Sequence, residues 1–484
     1  MVKGPARRHG VPDVRALAAT AVVGCLAAFA FWHGIGVESL WFDEAFSYQV
    51  ASSSNRDFIA TILNSETYSA LYYVLLRAWL VLGDGEAVMR SLSALFGVAA
   101  SVAVYATGAR LYDRVAGFIA GVLLSVNVFF IQYAQELRAY TLAAFLVTLS
   151  MYLFLRALDR PSVTAWLVYV AAAVLAVHAH FFAGFVVVGQ LGLALFAPQI
   201  PRRHVLAVTV LMTVAVAPLA FLELTSGVNR WWIPPISIDL VLEALQQLAG
   251  SSYRGAGVAG AAAALVFACV ASLTVVRDVR TGHWWRGALV LSWLLVPIVS
   301  SAVLSLIQPM FVTRYLIVVM PAYVVLVGAG ISRLRPRAAA FGVSILLIAL
   351  SARGAEVWYR EYDKPNWRAA VAMVTAELLP GDLVAVVPEM HRRPYAYYAR
   401  ESPATVVPLT LPPDPAAAAR AANAIAEVHP RIWLIEKMPS SFGASMEQEG
   451  LAYDVVRQHS YVGVDVVLYE RRQAAPVGPA RLRP

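Results

Sequence analysis

Long apolar runs constrain this chain more than any other feature of its sequence. Stretches of about 18 to 20 apolar residues, each enough for a helix to cross about 30 Å of hydrocarbon, recur up to about residue 355. Backbone polar groups find no water in lipid, so a spanning segment must be a helix or part of a closed barrel, and these runs are too long for barrel strands. A hydrophobic content of 60%, a charged content of 14% and a mean hydropathy of +0.65 agree with a multi-span helical membrane protein. The runs predict about eleven transmembrane helices, near residues 16–34, 86–108, 114–131, 140–158, 162–179, 181–197, 205–222, 258–276, 287–307, 311–331 and 338–353. Residues 70–82, "ALYYVLLRAWLVL", are too few for an upright span and carry Arg77, which predicts an interfacial helix.

Charge orients the bundle. With the N-terminus inside, the inner segments carry sixteen Lys and Arg against seven in the outer ones before residue 355. The net charge of +8 is then mostly a topology signal, and no stretch has the look of a nucleic-acid patch. The two cysteines, Cys25 and Cys269, fall inside spans and indicate neither a disulfide framework nor a cysteine metal site. The first apolar run follows a basic start but lacks a small-residue cleavage site, so a retained helix is expected.

After residue 355 polar residues return and apolar runs shrink to strand length. "NWRAAVAMVTAELL" predicts a helix and "LVAVVP" a strand; "MHRRPYAYYARE" predicts a short helix broken by Pro394. "TVVPLTL" could be a strand, "DPAAAARAANAIAEVH" a capped helix, and "RIWLIEK" and "VGVDVVLYERR" further strands. The expected organisation is a cytoplasmic N-terminus (1–15), a membrane domain (16–355) with its first outer loop at 35–85, a small extracytoplasmic α/β domain (356–475) and a flexible tail (476–484).

Polar residues gather at the expected outer rim. The first outer loop holds Asp43, Glu44 and Arg56; "QYAQELRAY" holds Gln135, Glu136, Arg138 and Tyr140; "HAHF" holds His178 and His180; "QPMFVTRYL" holds Arg314 and Tyr315. Each has a plain structural alternative: solvated loop acids, a Glu136–Arg138 ion pair, a snorkelling Arg314, polar histidines at a span end. Together they place carboxylates, arginines and a histidine pair on one face of a bundle.

In chain order, "ESLWFDEAFS", "LYYVLLRAWLVLGDGEAVMRSLSALFG", "ARLYDRVAGFIAGVLLSVNVFFIQYAQELRAYTL", "PMFVTRYLIVVMPAY" and "NWRAAVAMV…PGD" resemble the bacterial GT-C glycosyltransferases related to dolichyl-phosphate-mannose protein mannosyltransferases and to the aminoarabinose transferase of lipid A. The resemblance implies a cell-membrane enzyme that moves a sugar from a polyprenyl-phosphate donor to a glycan, lipid or protein acceptor of the cell envelope. It implies that the outer acidic motif, Asp43 and Glu44, lies near the reaction centre. The family's "QExRxY" block falls on Gln135, Glu136, Arg138 and Tyr140, and its "RYL…P" block on Arg314, Tyr315, Leu316 and Pro321. Many relatives carry His-Pro-Pro before the Leu-Tyr of the interfacial helix; this chain has "TYSALYY", Thr67–Tyr73, and lacks that histidine.

The chemistry of such a transfer needs a base at the acceptor hydroxyl and positive charge at the departing phosphate. Asp43 is the expected base, with Glu44 orienting acceptor, sugar or a divalent ion. Arg138, Arg314 and Tyr315 are expected at the donor phosphate, supported by Glu136, Gln135, Tyr140 and Arg56. No cofactor is required, because the carrier leaves as a stable phosphate, although Asp43 and Glu44 with His178 or His180 could hold a divalent ion. The rival from another class is a transporter or flippase of lipid-linked saccharides, which calls for ionisable residues in mid-span or helices broken in matched halves. A second is a scaffold whose soluble part carries the function.

Overall fold

The computed structural model describes residues 13–196, 202–225, 232–250, 257–360, 364–400, 405–408, 428–437 and 453–471, with isolated positions between 416 and 424. The chain divides into two compact units, Met1–Ile35 with Val50–Glu361, and Gly36–Gln49 with Tyr362–Pro484.

The first unit is helical. Its elements are α1 (Val14–Trp32), the end of α2 (Phe42–Ser52), α3 (Asn55–Asn64), α4 (Ala70–Trp79), α5 (Glu86–Leu111), α6 (Arg114–Val126), α7 (Val128–Ala134), α8 (Tyr140–Asp159), α9 (Val163–Ala179), α10 (Ala183–Phe196), α11 (Arg202–Thr225), α12 (Ile238–Leu248), α13 (Gly257–Arg280), α14 (Trp284–Leu304), α15 (Met320–Ser332) and α16 (Arg337–Arg360). Polar side chains cap four of these helices: Asp13, Asp113, Ser162 and Ser237 each accept a hydrogen bond from the backbone N–H three residues on.

All eleven expected spans fall on helix, with unequal lengths. Among the described residues seven segments are long and apolar enough to cross a bilayer, and α6 with α7 makes an eighth if that bent pair is one span. Helices α9 and α10 have only 17 and 14 residues. The expected span 114–131 is broken by 63°. Asn127 is the cause: its backbone is extended, its side chain caps α7 by accepting from Phe130 N at 3.1 Å, and its amide donates to Leu248 O at 3.1 Å. Residues 70–82 form α4 and one 3-10 turn, burying Tyr72, Tyr73 and Leu76 and exposing Val74 and Val81. That one-sided burial matches an amphipathic interfacial helix.

Close helix packing depends on glycine. A Cβ on Gly108 would come within 2.9 Å of Gly117 Cα, and one on Gly117 would strike Tyr105 O and sit 2.6 Å from Ala109 N. Lipid tails are as apolar as leucine, so tight backbone approach of this kind carries much of the association of α5 with α6.

The second unit is a five-stranded sheet with helices packed on it. The strands β1 (Leu383–Val387), β2 (Thr405–Pro408), β3 (Arg431–Glu436), β4 (Tyr453–Tyr461) and β5 (Val464–Arg471) stand in the order β2-β1-β3-β5-β4. β1 runs parallel to β2 and β3, whereas β5 is antiparallel to β3 and β4. β1, "LVAVV", is buried throughout, as a central parallel strand should be. Helix α17 (Trp367–Glu377) buries Trp367, Val371 and Val374 against Val384, Trp433, Val466 and Leu468. Pro394 does not break its helix: α18 (Arg392–Tyr398) carries it in the first turn, where the missing N–H has no intrahelical acceptor to lose. Most of the expected helix over 414–429 lies outside the described residues, its described positions 416, 417, 420, 424 and 428 being helical; the tail 476–484 and most of the N-terminal segment 1–15 also lie outside them.

Replacing Gly117 by Val should lower the melting temperature in detergent, at an overpacking cost of about 1–3 kcal/mol. Gly342→Ala, where an added Cβ meets nothing within 4 Å, is the control and should not. Equal melting of G117V and wild type would show that glycine does not set the α5–α6 spacing.

Candidate active site

In the first unit a cluster of arginines and aromatic rings assembles from five separate parts of the sequence. The turn before α8 supplies Arg138, whose guanidinium donates to the Tyr73 hydroxyl at 3.2 Å and the Tyr68 hydroxyl at 3.3 Å. Tyr73 in turn donates to Glu66 Oε2 at 2.7 Å. The result is a relay from carboxylate through phenol to guanidinium, in which Glu66 and Arg138 are both only 8% exposed. Main-chain bonds fix the turn, since Arg138 O accepts from Ser93 Oγ at 3.1 Å and Thr141 Oγ1 donates to Ser93 O at 2.7 Å.

The turn between α9 and α10 adds His180, and the 3-10 turn Thr313–Val319 adds Arg314 and Tyr315. The His180 ring lies 4.9 Å from Tyr315 and 5.9 Å from Tyr140, centroid to centroid. Arg314 stands 5.0 Å above the Trp232 ring and 5.8 Å from that of Tyr315. Burial, reinforced by Arg138 and then Arg314, pulls the His180 imidazole down to about 3, so at neutral pH it is uncharged. Its Nε2 and the Tyr140 hydroxyl are buried without a hydrogen-bond partner among the described residues. Two guanidiniums, phenols and a neutral imidazole suit an anion. Among the described residues no group of three or more His, Cys, Asp or Glu side chains is placed to hold a metal ion.

Of the expected residues, Arg138, Arg314, Tyr315, Tyr140 and His180 come together here. Gln135 does structural work beside them, donating to His33 O at 2.6 Å and accepting from Trp358 Nε1 at 3.3 Å. Glu136 is buried and accepts the Arg138 N–H at its main-chain oxygen. His178 turns back to the Val174 carbonyl of its own helix at 3.0 Å. Arg56 is exposed on α3.

The acidic pair belongs to the second unit. Asp43 and Glu44 lie in the first turn of α2, where the helix dipole favours negative charge, and successive helical residues point about 100° apart. Asp43 is half-buried; Glu44 is fully buried and meets Lys364 Nζ at 3.2 Å, with Glu38 on the same ammonium at 3.8 Å. Ser39 Oγ donates to Pro365 O at 2.7 Å, Leu40 N donates to the Tyr398 hydroxyl at 2.6 Å, and Arg393 stacks over Phe42 and Phe46. These bonds explain why residues 36–49 group with the C-terminal sheet.

A family model described as dolichyl-phosphate-mannose-protein mannosyltransferase matches residues 70–224. ArnT from Cupriavidus metallidurans superposes in its apo state with a TM-score of 0.62 at 14% identity, covering 94% of this chain and 98% of ArnT. Its structure bound to undecaprenyl phosphate gives 0.59 at 13% identity, covering 95% and 98%. The fold is that of the GT-C glycosyltransferases. The archaeal oligosaccharyltransferase AglB from Archaeoglobus fulgidus, in complex with an inhibitory peptide and a dolichol-phosphate, gives 0.57 at 12% identity, covering 96% and 75%. No curated protein matches the chain in sequence.

On this GT-C frame the sequence reading missed Tyr68, Tyr73, Trp232 and Lys364 as partners of the site residues. Lys364 had a signal: it is one of three lysines, with Lys3 and Lys437, in a chain whose other side-chain cations are arginine. A compact ammonium fits between two carboxylates where a planar guanidinium would need more room. Tyr68 and Tyr73 stand in "TYSALYY".

Lys364→Met removes the ammonium 3.2 Å from the buried Glu44 carboxylate and should destabilise the second unit by about 3–5 kcal/mol. Glu44→Gln with Lys364→Met should recover most of that; protease resistance of residues 364–471 is the readout, and no recovery would show that the pair is not what holds α2 there. His180 is depressed, so its neutral form favours the folded state: that contribution is present above about 6.5 and lost as pH falls through about 3. Ring-nitrogen NMR should therefore find His180 neutral throughout pH 5–8; protonation near pH 6 would contradict its burial between two arginines.

Proposed function

We propose that this protein transfers a hexose or pentose from a polyprenyl-phosphate carrier to an acceptor hydroxyl of the cell envelope, at the extracytoplasmic face of the cell membrane and with inversion. The observation that carries this is the anion-receiving cluster of Arg138, Arg314 and neutral His180, with the His180 Nε2 and Tyr140 hydroxyl as buried polar atoms unpartnered among the described residues. The acceptor oxygen attacks the anomeric carbon, the carbon–oxygen bond to phosphate breaks, and its electron pair leaves on the phosphate. Charge therefore grows on the phosphate in the transition state, where preorganised guanidiniums stabilise it. The matched ArnT structure with undecaprenyl phosphate and the AglB structure with dolichol-phosphate support a lipid phosphate as the leaving group.

The hydroxyl proton must pass to a carboxylate. Asp43 takes that role in this proposal, because Glu44 is fully buried and engaged by Lys364, which suits a positioning residue. One displacement with one base gives inversion. The charge bias of the loops supports a cytoplasmic N-terminus and an extracytoplasmic second unit. The transporter alternative has no observation in its favour: the charged residues of the cluster lie at helix ends and turns, not in mid-span.

Purified protein assayed against a panel of radiolabelled polyprenyl-phosphate sugars should show transfer, and Asp43→Asn should lose about a hundred- to ten-thousand-fold of it. Full activity in D43N would remove Asp43 as the base. Arg314→Ala should chiefly raise the donor concentration at half-saturation; an unchanged donor curve would take Arg314 out of the phosphate site.

A further inference from the structure

Helices α6 and α16 leave a groove of about 890 Å³ between them, sharing no residue with the Arg138–Arg314 cluster. Its floor is apolar, with Phe118, Val122, Phe341 and Ile345 among its lining, and Phe341 is 70% exposed. One end is basic: Arg114, Arg335 and Arg337 line it, together with Ser332. The single carboxylate in the lining, Asp113, is spent on structure, accepting from Ala116 N at 2.9 Å and from Ser332 Oγ at 3.2 Å. Arg114 faces Asp13 in an ion pair. Arg335 and Arg337 are exposed, and Arg335 commits one nitrogen to the Leu334 carbonyl at 2.9 Å.

We infer that this groove binds an anionic phospholipid, with its acyl chain along Phe118, Val122, Phe341 and Ile345 and its phosphate at Arg335 and Arg337. α16 is one of the seven segments able to cross a bilayer and α6 is half of the bent pair that makes an eighth, so the apolar floor lies where hydrocarbon is the solvent, and the cations sit where the helices start. An apolar trough ending in two exposed guanidiniums is complementary to a molecule that is itself apolar along its length and negative at one end. A zwitterionic lipid would fill the floor equally well but gain less at the rim, because its own cation opposes the arginines. A free phosphate would use the rim and leave the floor exposed.

Native mass spectrometry of the intact chain, released from detergent with added phosphatidylglycerol or phosphatidylcholine, tests this directly. Wild type should retain phosphatidylglycerol at least tenfold better than phosphatidylcholine, and R335Q/R337Q should retain it about thirtyfold less well than wild type. Ile345→Trp, at an exposed position that tolerates bulk, should reduce retention of both lipids. Equal retention of the two lipids by wild type overturns the proposal even if the arginine variant fails to fold. So does undiminished phosphatidylglycerol in R335Q/R337Q, unchanged retention in I345W, or displacement of phosphatidylglycerol by inorganic phosphate alone.

Discussion

Taking a guanidinium out of water costs several kcal/mol unless its N–H groups find acceptors and its charge finds a counter-charge. Arg138 meets both conditions at a depth where only 8% of it is exposed. Tyr73 and Tyr68 accept its N–H groups, and Tyr73 passes the interaction on to the Glu66 carboxylate. Because these partners stand on α4 and the segment before it, and Arg138 on the turn before α8, satisfying one cation ties those elements together. Ser93 on α5 completes the tie, holding the Arg138 carbonyl with the hydroxyl it shares with Tyr72 at 2.9 Å. His180 is then compelled to be neutral, since a third cation beside Arg138 and Arg314 in the same low-dielectric setting would be repelled.

The same rule organises the second unit. Glu44 is fully buried, and its counter-charge is Lys364. That pairing joins residues about 320 positions apart in sequence, with Glu38 completing the shell around the ammonium. A buried pair of this kind adds little net stability, but it makes the alternative, an unpaired buried charge, expensive enough to specify one docking of α2. It also separates two neighbouring carboxylates into different surroundings, Asp43 half-buried and Glu44 fully buried.

Much of this was legible because hydrocarbon tolerates so few solutions. Apolar length identified the helices, and the Arg138 and Arg314 blocks identified the arginines of the cluster. The losses have particular causes. Asn127 breaks a span whose hydropathy runs on unbroken, because the break is a capping bond and not a change in polarity. β4, "YDVVRQHSY", escaped notice because an edge strand exposed along nearly its whole length shows no apolar alternation. Pro394 misled because a proline's effect depends on its position within the helix, which only the helix start reveals.

Sequence by itself determined the class of the protein, a multi-span helical membrane chain ending in a small α/β unit, and named the charged residues that demand explanation. Hydropathy and charge are local properties, and the bilayer acts on them locally. Tertiary structure alone decided which partner each of those residues meets: Tyr73 and Tyr68 for Arg138, Trp232 for Arg314, Lys364 for Glu44. Partners at such separations are chosen by the cost of leaving a buried charge unmatched, and that cost exists only once the chain has folded around it.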